Sequence, residues 1–133
     1  MTRYLLDTNI LSDLIRNPQG KAARRIAKAG EDHVCTSIIV AVELRYGCAK
    51  SGSARLRKAV EDLLGEINVL PFEAPADADY GDIRVSLEAG GTPIGGNDLL
   101  IAAHARALGA IVVTANAQEF KRVRGVKVEN WLA

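Results

Sequence analysis

Asp7, Glu43 and Asp98 are carboxylates that each stand alone in a long uncharged stretch. Asp7 is the only charged residue between Arg3 and Asp13, and Glu43 the only formal charge between Asp32 and Arg45. Asp98 is the only acidic or basic residue between Glu88 and Arg106, His104 aside. Their surroundings are apolar or Gly-rich, so all three are expected to be largely buried. A lone ionised carboxylate is costly to bury unless positive charge compensates it. No Lys or Arg lies inside any of these three stretches. The economical explanation is that the three converge around a bound divalent cation. Hard cations such as Mg²⁺ and Mn²⁺ prefer carboxylate oxygens and hold crowded acids ionised. Such an ion binds a phosphate oxygen, lowers the pKa of a bound water and stabilises in-line displacement. Hydrolysis of a phosphodiester by metal-activated water is the chemistry that suits this set best.

Each acid also has a plainer role. Asp7 and Asp98 suit helix N-caps. Glu43 suits an ion pair with a remote Arg. Glu119, in QEFKR, suits a solvated surface. Taken jointly, three isolated acids beside expected strand ends and helix starts favour a site over three separate coincidences.

The elements that must position these acids follow from periodicity and punctuation. Tyr4 to Leu6 reads as a short buried strand. Asp7, Thr8 or Asn9 caps a helix that begins near Ile10 and stops near Asn17-Pro18. Lys21 to Ala29 is a short helix. His33 to Thr36 is a second strand, and Ser37 caps a helix running to about Ala49. Leu56, Val60, Leu63, Leu64 and Ile67 mark the apolar face of the next helix. Val69 to Phe72 is a third strand. Pro75 opens a helix whose inner face is Ala76, Tyr80, Ile83 and Leu87, and Gly90-Gly91 closes it. Asn97 or Asp98 opens a helix that runs through Leu108. Ala110 to Thr114 is a fourth strand, Gln118 to Val123 a helical turn, and Val126 to Trp131 a last edge strand. Alternating strands and helices imply an α/β fold with a mostly parallel sheet covered on both faces. In such folds ligands sit beyond the carboxyl ends of the strands. Asp7 falls there after the first strand, and Asn116 and Glu119 after the fourth.

Composition bounds the class. The chain has 133 residues, 48% of them hydrophobic and 25% charged. That suits one domain with one core. No apolar run approaches the ~18–20 residues of a membrane span, and MTRYLLDTN lacks a signal-peptide core, so a cytoplasmic location is expected. Cys35 and Cys48 belong to no CxxC or His/Cys cluster, which argues against zinc and for buried free thiols. His33 and His104 read as structural; His104, six residues after Asp98, faces away from it on a helix. Phe120 and Trp131 read as packing residues.

Net charge is only +1, so composition alone does not announce a nucleic-acid binder. Local patches do more. Lys21, Arg24, Arg25 and Lys28 recur at i, i+3, i+4, i+7 and form one positive helix stripe. Lys121, Arg122 and Arg124 form a second cluster. Either could guide an RNA backbone towards acidic residues.

Four segments occur in order across essentially the whole chain: LLDTNIL, TSIIVAVELRYGCAKS, GTPIGGNDLLIAAHARALG and VVTANAQEFKRVRGVKVENW. In this combination the sequence resembles the PIN-domain ribonucleases, and among them the VapC-type toxins of bacterial toxin–antitoxin pairs. The resemblance implies a single three-layer α/β/α domain over residues 1–133. It implies that Asp7, Glu43 and Asp98 are metal ligands and that Glu119 completes the catalytic set, with Asn116 as the other candidate for the fourth acidic position. Thr8 and Asn9 match the polar positions after the first acid, Ser37 a small hydroxyl that supports the site, and Thr114 the head of the TxN…EF segment. The resemblance further implies a Mg²⁺- or Mn²⁺-dependent endoribonuclease that cuts structured RNA, tRNA foremost. It would be a homodimer, held inactive by a cognate antitoxin in a higher assembly.

Other readings fit less well. A haloacid dehalogenase-like phosphatase needs a second Asp two residues after the first, where this chain has Asn9. A receiver domain wants an early acidic pair and a Lys after a late strand, where this chain has Thr114-Ala115-Asn116. A non-catalytic RNA-binding or interaction module of α/β fold leaves the isolated acids unexplained.

Overall fold

Short apolar runs form the centre of the molecule. Leu5, Leu6, Val112 and Val113 are wholly buried, as expected of strands covered on both faces. The computed structural model describes residues 2–133. Five strands, β1 (Tyr4–Leu6), β2 (Val34–Ser37), β3 (Asn68–Leu70), β4 (Ile111–Val113) and β5 (Lys127–Glu129), form one sheet in the order β3-β2-β1-β4-β5. Every pairing is parallel.

Among the described residues seven α-helices cover the sheet: α1 (Thr8–Arg16), α2 (Lys21–Ala29), α3 (Ile38–Ser51), α4 (Ala54–Glu66), α5 (Ala76–Ala89), α6 (Gly96–Leu108) and α7 (Ala117–Phe120). Right-handed crossovers assign α1 to α4 to one face and α5 to α7 to the other. Local chemistry sets their ends. The Ser37 and Ser53 hydroxyls accept the backbone N–H of Ile39 (3.0 Å) and Leu56 (3.1 Å), capping α3 and α4. Gly52 and Gly109, both at φ 67°, end α3 and α6 in the left-handed region that glycine favours. Arg106 ties α6 to α5 through Asp79 (2.6 Å) and Asp82 (2.7 Å).

Strand order reverses at β1, which has β2 on one side and β4 on the other. This is the topological switch point, where open parallel sheets bind ligands. The register pairs Leu6 with Val113, so Asp7 and Thr114 leave the sheet side by side.

The helical and strand pattern matches the sequence reading with local differences. β3 pairs with β2 over 68–70 and β5 with β4 over 127–129, rather than over the expected 69–72 and 126–131. His33 belongs to a 3-10 turn (Glu31–His33), with its Nδ1 3.0 Å from the Thr2 carbonyl, and β2 starts at Val34. Helix α6 opens at Gly96 with Gly95 as N-cap, so Asp98 lies in the first turn and is not the cap. Both cysteines are buried and free, and burial pushes the Cys35 thiol up to about 11. Among the described residues no helix is long and apolar enough to cross a membrane.

Candidate active site

The site is assembled from segments that leave the carboxyl ends of β1, β2 and β4, together with the start of α6. Asp7 is the N-cap of α1, and its Oδ1 accepts the Thr8 N–H at 2.8 Å. Its Oδ2 accepts the Thr114 hydroxyl at 2.8 Å. That hydroxyl in turn accepts the Asn116 N–H at 2.9 Å. Asn9 clamps the same corner: its Nδ2 lies 3.3 Å from Thr114 Oγ1, and its Oδ1 accepts the Ala115 N–H at 2.9 Å. β1 and β4 are therefore stitched together by side chains where the backbone ladder ends.

Glu43 enters from α3. Its Oε1 accepts the Thr8 hydroxyl at 2.7 Å. Asp98 enters from the first turn of α6, where the helix N-terminus favours negative charge. Asn116 Nδ2 reaches both Asp98 Oδ2 (3.5 Å) and Glu119 Oε2. Glu119 Oε1 accepts the Gly95 N–H at 2.9 Å, linking α7 to the α6 entry loop.

The four acids feel one another. Asp98 is pushed up to about 7, first by burial and then by the charges of Asp7, Glu119 and Glu43. Burial also raises Asp7, partly offset by the Thr114 and Thr8 donors. Glu119 is held below its ordinary value, chiefly by the Gly95 N–H. Of Asp98 and Glu119, the proton therefore rests on Asp98.

Hydrogen bonds thus link Asp7, Thr8 and Glu43, and Asp7, Asn9, Thr114, Asn116, Asp98 and Glu119, into one network at this end of the sheet. Their convergence is looser than isolated acids suggest. Among the described residues, no three His, Cys, Asp or Glu side chains stand close enough to hold a metal ion as placed. Neutral donors space the like charges instead: Thr8 beside Glu43, Thr114 beside Asp7, and Asn116 between Asp98 and Glu119.

Ser37 does not touch the acids. It is wholly buried and lies 2.7 Å from Nδ1 of His104, itself 2% exposed. Burial lowers the His104 pKa, so the ring is neutral, and its other partner is the Pro71 carbonyl, which only accepts. Nε2 therefore carries the proton, and the Ser37 hydroxyl donates to Nδ1. This bond joins the cap of α3, the helix bearing Glu43, to α6, the helix bearing Asp98. The turn of α6 shows that His104 faces away from Asp98; only the three-dimensional packing shows that it faces Ser37.

The basic residues divide. Lys21, Arg24, Arg25 and Lys28 are all exposed, but Arg25 is engaged by Glu129 (3.3 Å) and by the Trp131 ring (5.2 Å to its centroid). Arg122 lies at the site: its charge acts on Glu119, and its guanidinium donates to the Pro93 carbonyl at 3.3 Å. Lys121 and Arg124 are exposed beside it in sequence.

A parallel sheet with order 3-2-1-4-5 and an acidic cluster at its switch point defines an α/β domain of the PIN type. A PIN domain family model matches residues 4–126. The chain is 38% identical over 132 residues to the tRNA(fMet)-specific endonuclease VapC of Shigella flexneri, covering 98% of this chain and 99% of that protein. It is 40% identical over 134 residues to ribonuclease VapC2 of Haemophilus influenzae, covering 99% and 100%. The DNA-bound VapBC structure from Salmonella typhimurium matches with a TM-score of 0.89 at 35% identity, over 98% of this chain and 99% of that one. VapBC2 from Rickettsia felis, bound to a promoter DNA fragment, matches with a TM-score of 0.86 at 35% identity over 98% and 99%. The chain belongs to the PIN-domain family and, within it, to the VapC ribonucleases.

Proposed function

We propose that this protein is the toxin of a toxin–antitoxin pair, a divalent-metal-dependent endoribonuclease that cuts structured RNA, with tRNA as the foremost substrate. The observation that carries the reading is the hydrogen-bonded network that gathers Asp7, Glu43, Asp98 and Glu119 beyond the carboxyl ends of β1 and β4, where burial and the neighbouring acids push Asp98 up to about 7. Four acids gathered from separate elements, with the carboxyl of Asp98 raised by its acidic neighbours, form a donor set suited to a hard cation. Asp7, Glu43 and Asp98 would hold Mg²⁺ or Mn²⁺, with Glu119 completing the acidic rim. When bound, such an ion supplies Lewis acidity towards a phosphate oxygen and a water molecule.

The chain's own groups have the complementary tasks. Thr8, Thr114 and Asn116 orient the carboxylates of Glu43, Asp7 and Asp98. Arg122 offers a positive charge beside Glu119 for the RNA backbone. No step calls for a covalent protein intermediate. The relatives support the substrate and partner: one is a tRNA(fMet)-specific endonuclease, and two of the solved neighbours are DNA-bound VapBC complexes. A homodimer and inhibition by an antitoxin belong to the same reading. A non-catalytic module would leave the gathering of the acids at the sheet's carboxyl end without purpose.

The deciding experiment is cleavage of total tRNA in Mg²⁺ or Mn²⁺, with EDTA as control, for the wild type and Asp7→Asn. Cleavage should vanish in EDTA. Asp7→Asn should lose about a hundredfold or more, since even changes to the partners of metal ligands cost about 10–100-fold. The fold should survive, because Asn caps a helix as well as Asp. Undiminished cleavage by the variant, or indifference to EDTA, would refute the reading.

A further inference from the structure

Ser37 stands six residues before Glu43, and His104 six residues after Asp98. At 1.5 Å per residue, each acid lies about 9 Å along its helix from the contact between Ser37 and His104. That contact is wholly interior: Ser37 is 0% and His104 2% exposed. Around His104 on α6, Ile101, Ala102, Ala103 and Ala105 are fully buried. A polar ring among such neighbours is costly unless its nitrogens are paired. Both are paired. Nδ1 lies 2.7 Å from the Ser37 hydroxyl, and Nε2 faces the Pro71 carbonyl just beyond β3. The ring also packs edge-on against Phe72.

Ser37 is fixed in its turn. It ends β2, and its hydroxyl accepts the Ile39 N–H as the cap of α3. One imidazole therefore ties α6, the head of α3 and the exit of β3 at a single point. Among the described residues no other side-chain hydrogen bond, and no ion pair, joins α3 or its cap to α6. Glu43 and Asp98 are not bonded to each other: Thr8 holds the first and Asn116 the second. Their separation thus depends on how α3 and α6 are set, and the Ser37–His104 bond is the directional contact between the two helices. Apolar packing loses uniqueness before it loses stability, whereas a hydrogen bond weakens steeply when it is bent or stretched. With this contact as pivot, a tilt of about 5° carries the backbone of either acid by about 0.8 Å.

We propose that His104 is a positioning residue: through the Ser37 hydroxyl it sets the separation of Glu43 and Asp98, and with it the fit of the acidic site to a divalent cation. The inference rests on the metal-dependent reading above and adds what fixes the distance between two of its carboxylates. His104 makes no hydrogen bond to either acid and acts only through the placement of the helices that carry them. A misplacement of about 1 Å at a reacting centre can cost about a hundredfold, so a sub-ångström shift is enough to be read.

The test is Mn²⁺ binding to the intact protein at neutral pH, read from the electron paramagnetic resonance signal of free Mn²⁺, beside kcat and KM for total tRNA. Ser37→Ala and His104→Phe each remove the bond, and the phenyl ring keeps the packing on Phe72. Both should weaken Mn²⁺ affinity and lower kcat about tenfold, with KM within about threefold of the wild type. His104→Asn supplies the rescue. Its Oδ1 stands where Nδ1 stood and accepts the Ser37 hydroxyl, while the donor to Pro71 is lost. It should lose stability yet keep Mn²⁺ affinity within about threefold of the wild type. Val60→Ala, a core truncation on α4, controls for lost stability alone and should bind Mn²⁺ as the wild type does. Wild-type affinity in both Ser37→Ala and His104→Phe would overturn the proposal. So would a loss in His104→Asn as large as that in His104→Phe, or an equal loss in Val60→Ala. These outcomes remove the positioning role alone. A wild type that binds no Mn²⁺ would instead overturn the metal-dependent reading, and the positioning role with it.

Discussion

At the scale of single residues, Asp98 carries the most testable physics. Its folded-state pKa is raised from 3.8 to about 7. A carboxyl whose pKa is raised on folding contributes stability that is complete below its unfolded value and is lost as pH rises through the folded one. Asp7 is raised too and has the same sign. Glu119 is lowered from 4.5, so its contribution is lost only at more acid pH. His104, whose pKa lies below 6.5, works in the opposite sense to Asp98 between pH 5 and 6.5. The clean measurement is therefore a difference. In EDTA, the Tm of Asp98→Asn minus that of the wild type should grow as pH rises from 5 to 8. A difference that stays flat across this range would mean that Asp98 does not carry the repulsion. Adding Mn²⁺ should raise the wild-type Tm more at pH 8 than at pH 5, because a cation favours the ionised form that repulsion disfavours. These acids were legible in the sequence because each lacks a charged neighbour, which is a local property. Their spacing by Thr8, Thr114 and Asn116 was not, since it depends on contacts between segments up to 107 residues apart.

At the scale of elements, the contact between Ser37 and His104 links the two helices that carry Glu43 and Asp98. The sequence shows Ser37 as a cap and His104 as a structural residue. It cannot show that they meet, because periodicity gives the face of a helix and not what lies opposite. The same limit hid the engagement of Arg25, whose partners Glu129 and Trp131 lie over 100 residues away. The start of α6 at Gly96 was obscured because glycine carries little helix propensity. His104→Phe keeps a ring that packs edge-on against Phe72, now 5.5 Å between centroids, but removes the acceptor for the Ser37 hydroxyl. Leaving a buried hydroxyl unpaired costs about 1–3 kcal/mol. Ser37→Ala loses that bond and the α3 cap together, at a similar cost. The double variant should be less destabilised than the sum of the two, with a coupling energy of about 1 kcal/mol or more by urea denaturation. Additivity within about 0.5 kcal/mol would show that the bond contributes no stability of its own.

At the scale of the whole molecule, one face remains uncovered by the chain itself. Ile38, Val42 and Tyr46 recur every four residues along α3 and are 42%, 56% and 65% exposed. Elsewhere among the described residues the only large hydrophobic side chain so exposed is Val85, on α5. Scattered apolar residues need no explanation, but a stripe down one helix marks an interface. The stripe lies on the helix that carries Glu43, rotated from it by about 60–140°. A second copy could therefore cover it and leave the acids open to substrate. A two-fold interface presents each residue twice, so one substitution places two like charges in a single contact. Val42→Lys should convert a dimer into a monomer, measured by light scattering coupled to gel filtration. The monomer should keep the wild-type circular dichroism spectrum, because Val42 is half exposed and contributes little to the core. A wild type that is monomeric at tens of micromolar would remove the dimer from the proposed function. A Val42→Lys protein that stays dimeric would move the interface to another face.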